Sequence, residues 1–365
     1  MADPYLDRIR RASEGAGERN LDAVLVAPSA DLVYLAGYAP PPLERFTCLV
    51  LRPGGDPVLL VPELERPRAL ASRVGNDMEV VAWRDGDDPY ERLAGLVSSS
   101  GRFGVTDGMW AVHLLGVQRA LGGASFGSAS EVIGPLRAVK DPEELELLSR
   151  AARGADEVFR RVLELRIEGR REEEVARSLA DLLTENGHDE ITFTIVGSGP
   201  NGASPHHEAG DRPIRSGDPV VLDFGGRVSG YCSDISRTVC VGKPPQRFHE
   251  VYELVAEAQD RAFRAVAPGI SAEEVDRVAR DVIESAGYGD RFVHRTGHGI
   301  GLEEHEGPYI VAGNTEALAP GMCFSIEPGV YLEGEFGVRI EDIVAVTEDG
   351  AVRLNRASRA PETIS

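Results

Sequence analysis

A chain of 365 residues holds two domains at roughly 100–200 residues each, and 42% hydrophobic with 27% charged side chains is the balance of a soluble globular protein. Sixty Asp and Glu against 39 Lys and Arg leave a formal charge of −21, which repels a phosphate backbone and argues against nucleic acid as a partner. Apolar residues spread along the whole chain exclude general disorder, no run approaches the ~18 apolar residues of a membrane span, and the charged N-terminus lacks the apolar centre of a signal peptide. The expected compartment is therefore the cytoplasm.

In chain order, Leu21–Ala27, Phe46–Leu51 and Pro57–Val61 are short apolar runs suited to buried strands, while Glu63–Val74, Pro89–Ser98 and Trp110–Leu121 carry helical patterns. They predict an α/β domain over 1–135, punctuated at its end by Gly134-Pro135. Asp141-Pro142-Glu143-Glu144 then supplies an N-cap, a proline at the first helical position and acids in the first turn. Leu145, Leu148, Ala152, Val158, Val162 and Leu165 follow at helical spacing, so a long helix opens a second domain over 136–365. Cys48, Cys232, Cys240 and Cys323 form no CxxC pair and sit in apolar, strand-like stretches, as expected of buried free thiols.

The second domain repeats itself. Glu173-Glu174-Val175 matches Glu273-Glu274-Val275, Arg177, Asp181 and Gly187 match Arg277, Asp281 and Gly287, and Gly197 and Gly199 match Gly297 and Gly299. Gly217–Asp223 resembles Gly321–Glu327, and Gly230–Asp234 resembles Gly337–Glu341. Two copies of one helix-then-strand unit follow, about Leu148–Gly242 and His249–Asp349. The repeat pairs carboxylates: Asp223 with Glu327, and Asp234 with Glu341, each in an apolar strand. Taken singly, such acids more often cap helices or form salt bridges. Brought together about a pseudo-twofold axis, four of them need cations, because buried charge must be paired. His298, in the glycine-rich HRTGHGIGL, is the candidate fifth ligand. One imidazole and four carboxylates form a hard set that suits manganese or cobalt better than a structural zinc.

Three competing motifs are weaker. Gly197–Gly202 (GSGPNG) fits a dinucleotide fingerprint, but Pro205 and Pro213 follow too closely for its helix. Ser125 in Gly123–Gly127 matches a nucleophile elbow without its strand-turn-helix setting and reads as a loop residue. His207-Glu208 and His305-Glu306 do not extend to HExxH.

Asp223 and Asp234, GHGIG with His298, SIEPG with Glu327 and VRIED with Glu341 together resemble the prolidase and aminopeptidase P branch of the pita-bread metallopeptidases. The resemblance covers the whole chain, and Asp31–Gly37 (DLVYLAG) is similar to the family's smaller domain. Methionine aminopeptidases lack a first domain and the GVRIED ending, whereas creatinase-like members lose the ligands that are all present here. The resemblance implies an α/β (α+β) fold: a creatinase-like N-terminal domain serving dimerisation and as a lid over the site, then a pita-bread catalytic domain with the internal pseudo-twofold repeat. It implies two divalent metal ions, manganese before cobalt or zinc, on Asp223, Asp234, His298, Glu327 and Glu341. A hydroxide bridging them would cleave Xaa-Pro bonds in short peptides with proline second, in a homodimer. Glu327 would move the proton, His206 and His305 would hold the oxyanion, Arg339 would fix the ligand carboxylates and His294 would touch substrate or serve structurally. His207 is expected to face solvent or to support the site from behind. One departure bears on substrate length: Glu306–Val338 contains no Lys or Arg, and Tyr309 stands where some short prolidases have arginine; a cation for the terminal carboxylate would have to come from elsewhere, for example Arg45 of the same or a partner subunit, so dipeptidase and longer-peptide aminopeptidase both stay open. The alternative function is a metal-free creatinase-like enzyme or a non-enzymatic peptide-binding module on the same fold.

Overall fold

In a computed structural model that describes residues 3–364, the chain forms two compact units, one ending at Arg137 and the other beginning at Ala138. The first contains α1 (Pro4–Glu18), β1 (Ala23–Val26), α2 (Ala30–Ala36), β2 (Cys48–Leu51), β3 (Val58–Pro62), α3 (Arg66–Leu70), β4 (Glu79–Trp83), α4 (Pro89–Ala94), β5 (Arg102–Val105), α5 (Ala111–Ala120), β6 (Ser125–Ser128) and α6 (Ser130–Ala138). Its six strands form one mixed sheet in the order β4-β3-β2-β1-β5-β6. The central strands β1, β2 and β3 are buried along their whole length, which is why they stand out in the sequence as continuous apolar runs. The strands β4 and β6 close the two edges and are largely exposed or half-buried, and the Gly- and Ser-rich β6 carries no such signal.

Two expectations need correction here. Ser125 begins β6 rather than lying in a loop, because its edge position tolerates a Gly- and Ser-rich strand. Gly134-Pro135, expected to punctuate the end of the domain, lies inside α6. Pro135 forgoes one helical hydrogen bond, which a short surface helix survives.

The second unit runs α7 (Pro142–Val162), α8 (Glu172–Glu185), β7 (Glu190–Ser198), β8 (Pro219–Val228), β9 (Tyr231–Val241), α9 (Gln246–Ala265), α10 (Ala272–Ser285), β10 (Gly297–Gly299), β11 (Glu306–Ile310), β12 (Cys323–Ile326), β13 (Gly329–Leu332), β14 (Phe336–Arg339), β15 (Asp342–Thr347), β16 (Gly350–Arg353) and β17 (Thr363–Ile364). Asp141 caps α7 through the backbone N–H groups of Glu143 and Glu144, while the Glu144 carboxylate returns a bond to the Asp141 N–H. The helix stops at Val162, short of Leu165, and buries Leu148, Ala152, Val158 and Val162.

The repeat is plain in the element order. Each half has two helices and then a sheet whose strands lie in reverse chain order, β9-β8-β7 in one and β15-β12-β10 in the other. Arg171 bridges Pro213 in the first half as Ser271 bridges Ala317 in the second. Gly187 and Gly287 end the second helix of each half with φ of 89° and 82°, a left-handed turn that costs other residues more. Each half has its own apolar core between helices and sheet. The halves meet at β9, where the Glu341 N–H donates to the Ser236 carbonyl and the buried Arg237–Asp342 pair closes at 2.7 Å. All four cysteines are free and buried. Among the described residues no helix is long and apolar enough to cross a membrane.

Candidate active site

Equivalent strands of the two halves position the paired acids, although Glu327 and Glu341, expected within strands, stand at strand ends instead. Asp223 in β8 lies opposite Ser236 of β9, and Asp234 in β9 lies opposite Gly225. Since side chains alternate along a strand, Asp234 and Ser236 share one face. In the second half His298 is the middle residue of β10, Glu327 follows β12 directly, and Glu341 joins β14 to β15. All five line a single cavity of ≈ 500 Å³, together with His206, His294, His305 and Arg339. That volume lies within the usual range for small-molecule sites.

The acids are tied from behind. Arg339 donates from Nη2 to Asp223 Oδ2 at 2.6 Å and from Nε to Ser236 Oγ at 2.8 Å, and Ser236 Oγ donates to Glu341 Oε2 at 3.0 Å. Ser325 Oγ donates to Glu327 Oε1 and accepts from the His298 N–H, both at 3.1 Å. His298 Nδ1 donates to the Gly299 carbonyl at 3.2 Å, which leaves Nε2 facing the carboxylates. That nitrogen lies 3.2 Å from Glu327 Oε1 and 3.7 Å from Asp234 Oδ2.

The donor set fits divalent cations. One ligand atom from each of Asp234, His298 and Glu341 lies within 4.8 Å of the others. Asp223 Oδ1 and Glu341 Oε1 are buried without a hydrogen-bond partner among the described residues, an arrangement that costs free energy unless a cation fills it. Burial, then repulsion from Glu341, Asp223 and Glu327, pushes the Asp234 carboxyl well above the usual carboxylate range. Burial, then repulsion from Glu327 and Asp223, does the same to Glu341. Burial also opposes ionisation of Glu327, but its hydrogen bond with His298 and the nearby Arg339 guanidinium hold it down to about 2. The protein alone therefore cannot keep all four acids ionised, and cations would replace the protons.

Residues 146–348 match the metallopeptidase family M24, and residues 8–139 match the creatinase/prolidase N-terminal domain. The chain belongs to metallopeptidase family M24. The probable dipeptidase PepE of Mycobacterium tuberculosis is 45% identical over 97% of this chain and 95% of its own length. The Xaa-Pro dipeptidase of Pyrococcus furiosus is 36% identical over 97% of this chain and 99% of its own. The crystal structure of dipeptidase PepE from Mycobacterium ulcerans superposes with a TM-score of 0.95 at 42% identity, covering 99% of this chain and 98% of that one. The two units are thus a creatinase-type N-terminal domain and a pita-bread domain, and Asp234, His298 and Glu341 form a candidate metal-binding cluster in the second.

In this M24 chain the remaining histidines differ in freedom. His305 packs against His298 with ring centroids 3.9 Å apart. Burial, and next the neighbouring His298 and Arg295, depress its pKa to about 4, so it is neutral at pH 7. His206 lines the cavity, whereas His207 turns away from it and meets Glu172 at 2.8 Å. His294 has both ring nitrogens occupied: Nδ1 donates to the Arg295 carbonyl at 2.7 Å, and Nε2 accepts from Tyr331 OH at 2.8 Å. It is a fixed wall of the cavity rather than an open donor. Tyr331 in turn accepts from Arg339 Nη1 at 2.8 Å.

Sequence reading missed Tyr331, Ser236, Ser325 and Arg295. Ser236 and Ser325 each stand two positions from a ligand candidate, and period-two alternation could have found them. Nothing local marks Tyr331. Arg295 lines the cavity and stacks its guanidinium carbon 4.6 Å from the Tyr309 ring centroid. Among the described residues it forms no ion pair. Arg45, the other cation considered, is engaged by Glu44 at 2.7 Å and Asp85 at 3.1 Å.

Proposed function

We propose that this chain hydrolyses Xaa-Pro bonds, with dipeptides as its preferred substrates, using two divalent ions held by Asp223, Asp234, His298, Glu327 and Glu341. The observation that carries the reading is the buried carboxylate cluster, with two unpartnered oxygens, opening into a cavity that also holds a neutral histidine. Manganese suits the oxygen-rich donor set best. Bound there, divalent ions supply activation of water and polarisation of the scissile carbonyl at neutral pH.

The protein's own groups complete the reaction. Glu327, on the cavity wall beside His298, accepts a proton from the attacking water and passes it to the departing proline nitrogen. His206 and neutral His305 donate N–H groups to the carbonyl oxygen as charge builds on it, where fixed donors act most strongly. Phe193, Ile195 and Pro205 give the cavity an apolar wall against which the proline ring packs. A proline peptide has no N–H for strand-like binding, so a shaped pocket takes the place of that hydrogen bond. Arg339 and Tyr331 hold Asp223 and His294 in place. Arg295 pairs with the C-terminal carboxylate of a dipeptide, which supports the short substrate.

The test is cleavage of Ala-Pro by protein dialysed and then loaded with manganese, repeated in Asp234→Ala. Activity that follows manganese content and disappears in the variant is expected. Full activity in Asp234→Ala, or a protein that takes up no divalent metal, would refute the assignment.

A further inference from the structure

Glu172, the first residue of α8, is completely buried yet does not line the cavity. All the hydrogen bonds to its carboxylate come from the segment that leaves β7 and carries His206. Ser198 donates from its N–H at 2.8 Å and its Oγ at 2.6 Å, Asn201 Nδ2 reaches both oxygens at 3.1 Å, His207 Nε2 lies at 2.8 Å and the Gly210 N–H at 3.4 Å. A fully buried charge is costly unless every lone pair is used, and here the donors are polar groups of one loop. Among the described residues no Lys or Arg pairs with it.

The geometry points to Glu172 and His207 as positioning residues that aim His206 at the scissile carbonyl, an inference that rests on the hydrolase reading above. His206 and His207 are adjacent but diverge, one to the cavity and the other to Glu172. On the other side of His206, the Pro205 carbonyl accepts from Arg339 Nη1 at 3.3 Å. The residues before and after His206 are thus tied to two separate supports, the arginine that grips Asp223 and the carboxylate that opens α8. Between them the His206 backbone has nowhere to shift.

In the second half of the domain Ala272 stands at the position that Glu172 holds in the first, and a smaller anchor is made one turn further along the helix. There Asp276 of α10, also buried, accepts from the N–H and Oγ1 of Thr296 at 3.1 and 2.7 Å, and its remaining partner is Arg280 of its own helix. Glu172 makes the same backbone-plus-hydroxyl grip on Ser198 and then extends it to Asn201, His207 and Gly210. That extension has no counterpart in the other half and serves the loop that bears His206.

His207 is about one-fifth exposed, so its replacement is compatible with folding. In His207→Ala, kcat for Ala-Pro is expected to fall about 10–100-fold, the cost of a slightly misplaced group, with KM changed by less than about threefold and manganese content intact. His207→Gln, whose amide nitrogen reaches the position of Nε2, is expected to recover most of the loss. Because the effect passes through His206, the double variant His206→Ala/His207→Ala is expected to be no slower than His206→Ala alone. Losses that multiply, or an unchanged kcat in His207→Ala, would overturn the proposal. Hydrogen exchange of the 199–210 segment reads the anchor without substrate. Faster exchange is expected in His207→Ala and near-native exchange in His207→Gln; equal protection in all three proteins would sink it even if the wild type cleaved no Xaa-Pro peptide.

Discussion

Replacing Arg295 by methionine tests how the site measures substrate length. Methionine keeps an unbranched side chain over Tyr309 but removes the charge that would meet a terminal carboxylate. A hydrogen bond to a charged group contributes about 1.5–3 kcal/mol. Arg295 is half-buried at the cavity wall, so solvent screening brings the figure toward the lower end, about 1.5–2 kcal/mol. At about 1.4 kcal/mol per decade, kcat/KM for Ala-Pro should drop about 10–30-fold, mostly through KM. Ala-Pro-Ala carries its carboxylate one residue farther on and should change by less than about threefold. Steady-state kinetics of both peptides with the manganese-loaded protein decide the matter. An equal fall for both peptides would mean that Arg295 supports the fold of the site rather than reads the substrate's end, and no fall for the dipeptide would end its assignment.

Three further outcomes are expected. Lys140 and Glu306 form an ion pair at 2.8 Å with side-chain exposures of 1% and 8%, so Lys140→Met should cost about 3–5 kcal/mol in urea unfolding, and adding Glu306→Gln should restore much of it. A methyl group on Gly297 would stand 1.9 Å from the Ser325 carbonyl oxygen, so Gly297→Ala should push β10 from β12 and weaken manganese uptake at least about tenfold by titration; Gly127→Ala, with open space around it, is the neutral control. Burial lowers the pKa of His188, whose ring lies between the Leu183 carbonyl and Ser233 Oγ. The unfolded chain then binds its proton first, so stability is full above about pH 6.5 and is lost as pH falls below it. His188→Asn should flatten that limb by up to about 1.4 kcal/mol per pH unit in chemical denaturation followed across pH 5–8, and an unchanged slope would show that other groups set it.

How much of this was legible in the sequence follows from where each signal comes from. Central strands such as β1 and β3 announce themselves because both faces are buried, while β6, a Gly- and Ser-rich strand at a sheet edge, reads as a loop. The acid pairs were legible because duplication wrote them twice in similar surroundings. Tyr331 and Glu172 were not, since each acts across the fold on partners that no local pattern links to it: Tyr331 on His294 and Arg339, Glu172 on a loop beginning at Ser198. Arg295 was overlooked for a different reason. The strand pairing that sets His298 of β10 opposite Tyr309 of β11 brings in the residue before Thr296 from the side opposite to the segment after His305.

The seam between the two halves also sets a clock. Asp223 and Asp234 leave the ribosome with the first half, but His298, Glu327 and Glu341 come only with the second. At about 5–20 residues per second, the roughly hundred residues from Asp234 to Glu341 take on the order of 5–20 s to synthesise. Throughout that interval a nascent chain carries two of the acids and lacks the other donors. A truncated or stalled product that ends before Gly297 is in the same position, and it is expected to take up no divalent metal at this cluster.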